Sequence, residues 1–174
     1  MNAFGQILSS TQAGVTTTFS YDALGNKISA TDGNGNTTHY AYDAQGRLIE
    51  ETSPKVRVVT DVEQGLMSTQ AIITRHQYDQ LGNKTQTIVG ANSDQPRVTE
   101  FRYNAQGQLI QQRQNAHQVD GQPRPQVAMV NRQYDAVGNL IRETDANGQA
   151  TTFYYNARNQ LIAQVDGDGV LKTF

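Results

Sequence analysis

The 174-residue sequence predicts an all-β fold, a tandem array of antiparallel β-hairpin repeats forming a curved or spiralling sheet with little or no helix. Three observations predict it. One seven-residue turn motif returns six times along the chain. β-Branched and aromatic residues, punctuated by turn formers, fill the intervals between copies. No segment sustains the apolar period of about 3.6 residues that a helix requires.

A truncated copy, Ala3-Phe4-Gly5-Gln6-Ile7, opens the chain. The full copies begin at Tyr21 (Tyr21-Asp22-Ala23-Leu24-Gly25-Asn26-Lys27), at Tyr42 (Tyr42-Asp43-Ala44-Gln45-Gly46-Arg47-Leu48) and at Tyr78 (Tyr78-Asp79-Gln80-Leu81-Gly82-Asn83-Lys84). They continue at Tyr103 (Tyr103-Asn104-Ala105-Gln106-Gly107-Gln108-Leu109), Tyr134 (Tyr134-Asp135-Ala136-Val137-Gly138-Asn139-Leu140) and Tyr155 (Tyr155-Asn156-Ala157-Arg158-Asn159-Gln160-Leu161). An Asp or Asn followed three residues later by Gly fits a type I turn whose last residue takes positive φ. The Asp or Asn side chain bonds backbone amides two residues on, and Gly adopts the left-handed conformation without a Cβ clash. Asn159 stands where the other copies have Gly, and Asn is among the residues that best tolerate that region.

A three-residue turn with a bulge sets Tyr42 across from Leu48, Tyr103 from Leu109, Tyr134 from Leu140 and Tyr155 from Leu161, all on one face. Lys27 and Lys84 take the Leu position in the two other copies, where an aliphatic stem can cover a Tyr ring while the ammonium stays wet. Strand alternation puts Ile28, Ile49, Thr85, Ile110, Ile141 and Ile162 on the opposite face. Both faces then carry apolar surface, as in a sheet that curls or stacks.

The motif tyrosines are spaced by 21, 36, 25, 31 and 21 residues, so 21 is the basic unit. A second turn falls inside the short units, at 31–38, 144–152 and 166–169, where Asn-Gly and Asp-Gly pairs give a strong hairpin signal. Each unit is then two strands of about six to eight residues joined by alternating turns. The longer units lengthen the hairpin. Val56-Arg57-Val58-Val59-Thr60 runs to a turn near Glu63-Gln64-Gly65, and 71–78 returns as one long arm or two. Far turns follow at 92–96 and 119–125, with Pro where no ladder amide is lost. The expected total is twelve to fourteen strands, in one array over residues 1–174 that belongs to a larger protein.

Composition limits the function classes. Apolar residues make up 36% of the chain, below the globular norm of about 45–50%. A thick core is not expected, but the register of Gly, Asn and Thr with Tyr, Leu and Ile marks a repeat rather than disorder. A net charge of −2 with dispersed Lys and Arg gives no electrostatic footprint for nucleic acid. No run approaches the ~18 apolar residues of a membrane span, and the first residues lack a signal-peptide pattern. With no Cys there is no disulfide framework and no thiolate chemistry.

At the Tyr-Asp turn followed by Gly-Arg-Leu or Gly-Asn-Leu, the chain resembles the YD-repeat, or Rhs-repeat, family along its whole length, most closely at 42–48. Lys27, Lys84, Asn104, Asn156 and Asn159 depart from the family pattern. The resemblance implies a non-enzymatic, spiralling hairpin sheet that closes into a hollow shell. In bacterial Rhs proteins and insecticidal toxin complexes such a shell encloses a C-terminal toxin, and in teneurins a related barrel serves cell-surface adhesion. By resemblance, this segment belongs to a secreted or cell-surface protein. Its partners would be neighbouring repeats and an encapsulated toxin, with neither nucleic acid nor membrane insertion. Neither the self-cleaving aspartyl core of the bacterial shells nor a toxin-like segment is recognisable in it.

Candidate chemistry is weaker than the architecture. The turns at 32–36 and 166–169 look like calcium loops, but an EF-hand counted from Asp32 puts Thr37 at the obligatory Gly and Asp43 at the bidentate Glu. His39, His76 and His117 are far apart with no accompanying ligand pattern, so no metal or cofactor is expected. Asp22, Asp43, Asp79 and Asp135 recur as turn residues, which explains them better than paired catalytic carboxylates. A row of exposed tyrosines is the alternative functional surface, binding glycans or a cell-surface protein. Unpaired sheet edges would favour self-association.

Overall fold

A computed structural model of the chain describes residues 1–61, 65–115 and 128–174. The described residues form sixteen β-strands and no helix, and every pairing is antiparallel. The strands are three to seven residues long, shorter than the sequence reading expects, and more numerous than its twelve to fourteen. Both differences have one cause: the turns recur so often that long hairpin arms are divided. The expected turn at 63–64 and the turn at 119–125 lie outside the described residues, as does His117.

The chain forms two compact units. The first takes in Met1–Gln77 and Ile88–Pro96. Its strands β1 (Ser9–Gln12), β2 (Val15–Tyr21), β3 (Lys27–Thr31), β4 (Thr37–Tyr42), β5 (Leu48–Thr52) and β8 (Ile73–Tyr78) pair in that order. Between β5 and β8 the chain leaves the sheet as a separate hairpin of β6 (Val56–Asp61) and β7 (Leu66–Gln70). The excursion is pinned at its neck, where Ser53 N–H donates to the Ile72 carbonyl (3.0 Å) and Ile72 N–H donates to Ser53 Oγ (2.9 Å). Of the two readings of this stretch, the structure has two hairpins, not one long arm. β1 and β2 meet through Ala13 and Gly14, both at positive φ (+49° and +79°), the signature of a two-residue type I′ turn.

The second unit takes in Tyr78–Thr87 and Arg97–Phe174. It holds the first residues of β9 (Lys84–Val89), then β10 (Arg97–Tyr103), β11 (Leu109–Gln114), β12 (Ala128–Tyr134), β13 (Leu140–Thr144), β14 (Ala150–Tyr155), β15 (Leu161–Val165) and β16 (Leu171–Thr173). Strand order again follows chain order.

Register explains how Tyr and Leu come to share a face. Tyr21 faces Lys27, Tyr42 faces Leu48, Tyr103 faces Leu109, Tyr134 faces Leu140 and Tyr155 faces Leu161. Immediately beyond each of these pairs the ladder slips by one residue. The next residue, Ile28, Ile49, Ile110, Ile141 or Ile162, is therefore the extra residue of a bulge and has no partner of its own. Simple alternation onto the far face is corrected by this second bulge, which bends and further twists its strand. Among the described residues no hydrophobic side chain is fully buried, so cohesion comes from cross-strand pairs and turns.

Candidate functional site

The repeated turn is closed by the same backbone hydrogen bonds in all six full copies. In the Tyr134 copy, Asp135 N–H donates to the Asn139 carbonyl (3.0 Å) and Gly138 N–H to the Asp135 carbonyl (3.2 Å), with Gly138 at φ +99°. Asp135 Oδ1 accepts from the Val137 and Asn139 amides at 3.0 and 2.8 Å. The same two backbone bonds recur in the turns headed by Asp22, Asp43, Asp79, Asn104 and Asn156. Gly25, Gly46, Gly82 and Gly107 have positive φ, and Asn159 takes their place at +59°.

The truncated copy starts one residue earlier than the sequence reading places it. Asn2 heads the turn, with Gly5 at φ +75° and Gln6 closing it. The second turns of the short units are corrected as well. They are the same five-residue device, headed by Asp32, Asp145 and Asp166 and closed through Gly35, Gly148 and Gly169, because an Asp at the head supplies the bonds an isolated Asn-Gly pair lacks.

Sequence reasoning missed the residue after the Gly. Its side chain returns to the head of the turn with matched hydrogen-bond polarity. Where the head is Asp, the partner donates: Asn26 to Asp22 (2.9 Å), Arg47 to Asp43 (2.7 Å), Asn83 to Asp79 (3.0 Å) and Asn139 to Asp135 (2.8 Å). Where the head is Asn, the partner is Gln and its carbonyl accepts: Gln108 from Asn104 (2.7 Å), Gln160 from Asn156 (2.9 Å) and Gln6 from Asn2. The signal was present in the copies of the seven-residue motif as the pairing of Asp with Asn or Arg and of Asn with Gln, four residues apart, whereas the turns headed by Asp145 and Asp166 carry Gln149 and Val170 there and show only the backbone bonds.

Hydrogen bonds at the turn hold the carboxylates of Asp22, Asp32, Asp43, Asp79 and Asp135 below the usual carboxylate range. At Asp22, Asp32 and Asp79 the largest cause is the side-chain amide of Asn26, Asn36 and Asn83 respectively; at Asp43 it is the Arg47 backbone amide. At Asp135 burial pushes upward, but the Asn139 side chain and the turn amides outweigh it.

The tyrosines tie one repeat to the preceding one. Five hydroxyls donate to the backbone carbonyl at the Leu position of the previous copy: Tyr21 to Ile7 (2.9 Å), and Tyr42 to Lys27, Tyr103 to Lys84, Tyr134 to Leu109 and Tyr155 to Leu140 (each 3.0 Å). Burial raises the phenols of Tyr42 and Tyr103, which keeps them protonated donors. The turns also stack. Gln6 Nε2 reaches the Gly25 carbonyl (3.0 Å), Gln108 Nε2 the Gly138 carbonyl (3.2 Å) and Asn139 Nδ2 the Asn159 side chain (3.1 Å).

The remaining candidate residues fit around this scaffold. Lys27 stands across from Tyr21 as expected. Its ammonium sits 5.7 Å from the Phe19 ring centre and 4.8 Å from that of Tyr40, because neighbouring strands offer two aromatic faces. Lys84 similarly lies 5.5 Å from the Phe101 ring. His39 is on β4 and His76 on β8, and among the described residues no set of three or more acidic or histidine side chains converges as a metal site. Asp32 and Asp166, heads of the calcium-like loops, accept amides of their own turns. A groove of about 570 Å³ runs between the turns at 104–108 and 135–139. Part of its polar lining is already engaged, Gln108 with Asn104 and Gly138, Arg132 with Glu143, and Tyr134 with Leu109.

A family model described as RHS Repeat matches residues 2–37, 28–55 and 134–171, more than half of the chain. The chain belongs to the RHS repeat family. The matches contain the turns headed by Asn2, Asp22, Asp43, Asp135 and Asn156, while the copies at Tyr78 and Tyr103 lie outside them. Among solved structures, this RHS repeat chain is similar to a TcdB2-TccC3-Cdc42 crystal structure (24% identity, TM-score 0.63). It is similar also to a Tc holotoxin pore of Photorhabdus luminescens carrying a point mutation in TccC3 (24% identity, TM-score 0.62). Each alignment covers 86% of this chain and 7% of the other, so the chain spans a small part of those proteins and the likeness is one of fold. No curated protein matches the sequence.

Proposed function

We propose that this chain is a non-enzymatic wall segment of an RHS-repeat shell, one array over residues 1–174 within a larger exported or surface-located bacterial protein. In that parent the shell encloses a C-terminal toxin and helps deliver it. The observation that carries this reading is the tyrosine-to-carbonyl ladder, which joins successive repeats at five places, two in the first unit and three in the second. Tyr, Asp or Asn, Gly or Asn159, and Leu or Lys in each motif are structural repeat residues on this reading. Head carboxylates, partner amides and phenol hydroxyls hold the repeats together, which leaves the motif no group poised to react. Fold likeness to Tc toxin components supports the shell assignment. Adhesion through the tyrosine row has less support, since the hydroxyls that would bind a ligand are engaged with backbone.

Limited proteolysis of the full-length parent tests the reading. A C-terminal segment inside an intact wall resists a protease that digests it once excised. Replacing Tyr103 and Tyr134 together by Ala opens the ladder and exposes it. Digestion of that segment at the same rate in the intact and opened parents would sink the enclosure reading.

A further inference from the structure

The second turns of the short units stand at the strand ends opposite the seven-residue motif, and they differ from it at the third residue from the head. The motif turns carry residues such as Leu24, Gln45 and Val137 there, whereas the second turns carry Asn34, Asn147 and Asp168, each followed by Gly. Asn34 and Asn147 are the two asparagines of the chain with Gly next in sequence. Both are exposed, and their side-chain amides enter no hydrogen bond among the described residues. By contrast, the side chains of Asn26, Asn83 and Asn139 are held by Asp22, Asp79 and Asp135. The space around the following glycines is open, since a Cβ on Gly35 or Gly148 would meet nothing within 4 Å.

We propose that Asn34 and Asn147 are sites of spontaneous deamidation to isoaspartate, gated by opening of their turns. The glycine nitrogen gives its proton to water and attacks the asparagine Cγ, a C–N bond forms, and the side-chain nitrogen leaves as ammonia, closing a five-membered imide. Glycine favours this step because no side chain crowds its nitrogen. Water then opens the ring: breaking the nitrogen's bond to Cγ gives aspartate, and breaking its bond to the main-chain carbonyl carbon gives isoaspartate. One water enters and one ammonia leaves per conversion. In the closed turn the attacking nitrogen is occupied, because Gly35 N–H donates to the Asp32 carbonyl and Gly148 N–H to the Asp145 carbonyl, each at 3.0 Å. The imide therefore forms from the locally opened turn. The two gates differ in strength. Asp32 accepts from the Asn34 and Asn36 backbone amides and from the Asn36 side chain, each at 2.9 Å. Asp145 accepts from the Asn147 and Gln149 backbone amides alone, at 2.9 and 2.8 Å.

Asp168 shows what the turn tolerates. It places a carboxylate at the same position, and its turn still closes, with Gly169 N–H 3.0 Å from the Asp166 carbonyl and Gly169 at φ +83°. A negative charge is therefore accommodated there. Isoaspartate differs in its backbone: it carries the main chain through the former side chain and lengthens the turn by one methylene. The bond from the glycine N–H to the head carbonyl no longer fits, and the hairpin of β3 with β4, or of β13 with β14, loses its closure. The proposal is independent of the shell reading.

Incubation of the folded chain at mildly alkaline pH, followed by peptide mass mapping and enzymatic methylation of isoaspartate, tests it. The mass gain of an amide-to-acid conversion appears at Asn147 first and then at Asn34, and not at Asn26, Asn83 or Asn139. In concentrated urea both sites convert faster than in the folded chain, and at similar rates. Asn36→Ala removes one bond from the Asp32 turn and speeds conversion of Asn34 by about fivefold, the opening gained when a hydrogen bond of ordinary strength is lost, while Asn147 keeps its rate. If Asn36→Ala does not fold, the order of Asn147 and Asn34 in the unaltered chain carries the test. No isoaspartate at either site by the time the urea-treated chain is fully converted overturns the proposal. Conversion as fast in the folded chain as in urea, or Asn34 ahead of Asn147, overturns the gating. Conversion of Asn26, Asn83 and Asn139 at the rate of Asn147 overturns the site assignment.

Discussion

Gly138 combines the two demands that the repeated turn makes on its closing residue, and each has a magnitude. Its φ of +99° lies where a Cβ approaches the carbonyl oxygen, at about 1–2 kcal/mol for an ordinary L-residue. A Cβ there would also lie 3.1 Å from Gln108 Nε2. That amide is the far end of a flexible side chain and moves aside, giving up its 3.2 Å bond to the Gly138 carbonyl, about 0.5 kcal/mol at the weak end of the usual range. Gly138→Ala is therefore expected to destabilise by about 1.5–2.5 kcal/mol, and Gly138→Val by more because branching adds strain. Gly138→Asn should fall below about 1 kcal/mol, since Asn visits the left-handed region and Asn159 holds φ +59° at the same position of another copy.

Urea midpoints give the order, and hydrogen exchange at the Leu140–Thr144 amides shows whether the loss is local to β13, as a repeat array permits. Repeating Gly138→Ala in a Gln108→Ala background removes the crowding share and leaves the backbone share. Equal penalties for Val and Asn would refute the reasoning, because no left-handed turn treats those residues alike.

Other expectations follow from the same geometry. Gly167 has ordinary φ, but a Cβ on it would lie 2.8 Å from Gln149 Cβ; Gly167→Ala should lose about 1–3 kcal/mol by thermal melting, and Gln149→Gly should recover part of it. Tyr134→Phe removes the bond to Leu109 and should lose about 0.5–1.5 kcal/mol, whereas Tyr154→Phe should stay within about 0.5; equal losses would place the effect outside the ladder. The depressed carboxyls of Asp22, Asp32, Asp43, Asp79 and Asp135 contribute stability that is present above the ordinary Asp value of about 3.9 and lost as pH falls through their lower folded values. Stability should be flat near neutrality and fall below about pH 4, and a midpoint that already drops between pH 7 and 6 would contradict this. Asp135→Asn leaves two amide donors face to face and should destabilise, while adding Asn139→Gln restores an acceptor as in the Asn104–Gln108 pair. A double variant no better than the single would refute the polarity rule.

The Asp-x-x-Gly turn was legible in the sequence because its demands are local: a side-chain acceptor at the head and a residue tolerant of positive φ three places on. Asn159 in place of Gly was informative for the same reason. The polarity partner was present in the sequence but went unrecognised, since carboxamides (Asn26, Gln108) and a guanidinium (Arg47) become one role only when their bonds to the turn head are seen. The pairing of Lys27 with Tyr21 was legible, but not the place of its ammonium, because the rings it approaches, Phe19 and Tyr40, are supplied by adjacent strands. The course of residues 53–72 was ambiguous because a valine-rich alternating run fits one long arm or two hairpins equally. The Ser53–Ile72 bonds that decide it join residues nineteen apart in the chain.

A sheet with no fully buried apolar side chain among its described residues must draw its cohesion from interfaces between repeats, and this determines where variation is tolerated. The tyrosine face is constrained twice, by the packed ring and by the hydroxyl bond, and the turns are constrained by φ, head and polarity partner together. The opposite face carries none of these requirements. There the two units diverge most in chemistry, Ser20, Ser29, His39 and Thr52 in one and Arg102, Arg113, Arg142 and Tyr154 in the other, while the ladder beneath is unchanged. Substitution on the open face is therefore expected to leave the fold intact, since a side chain changed there disturbs no turn and no rung.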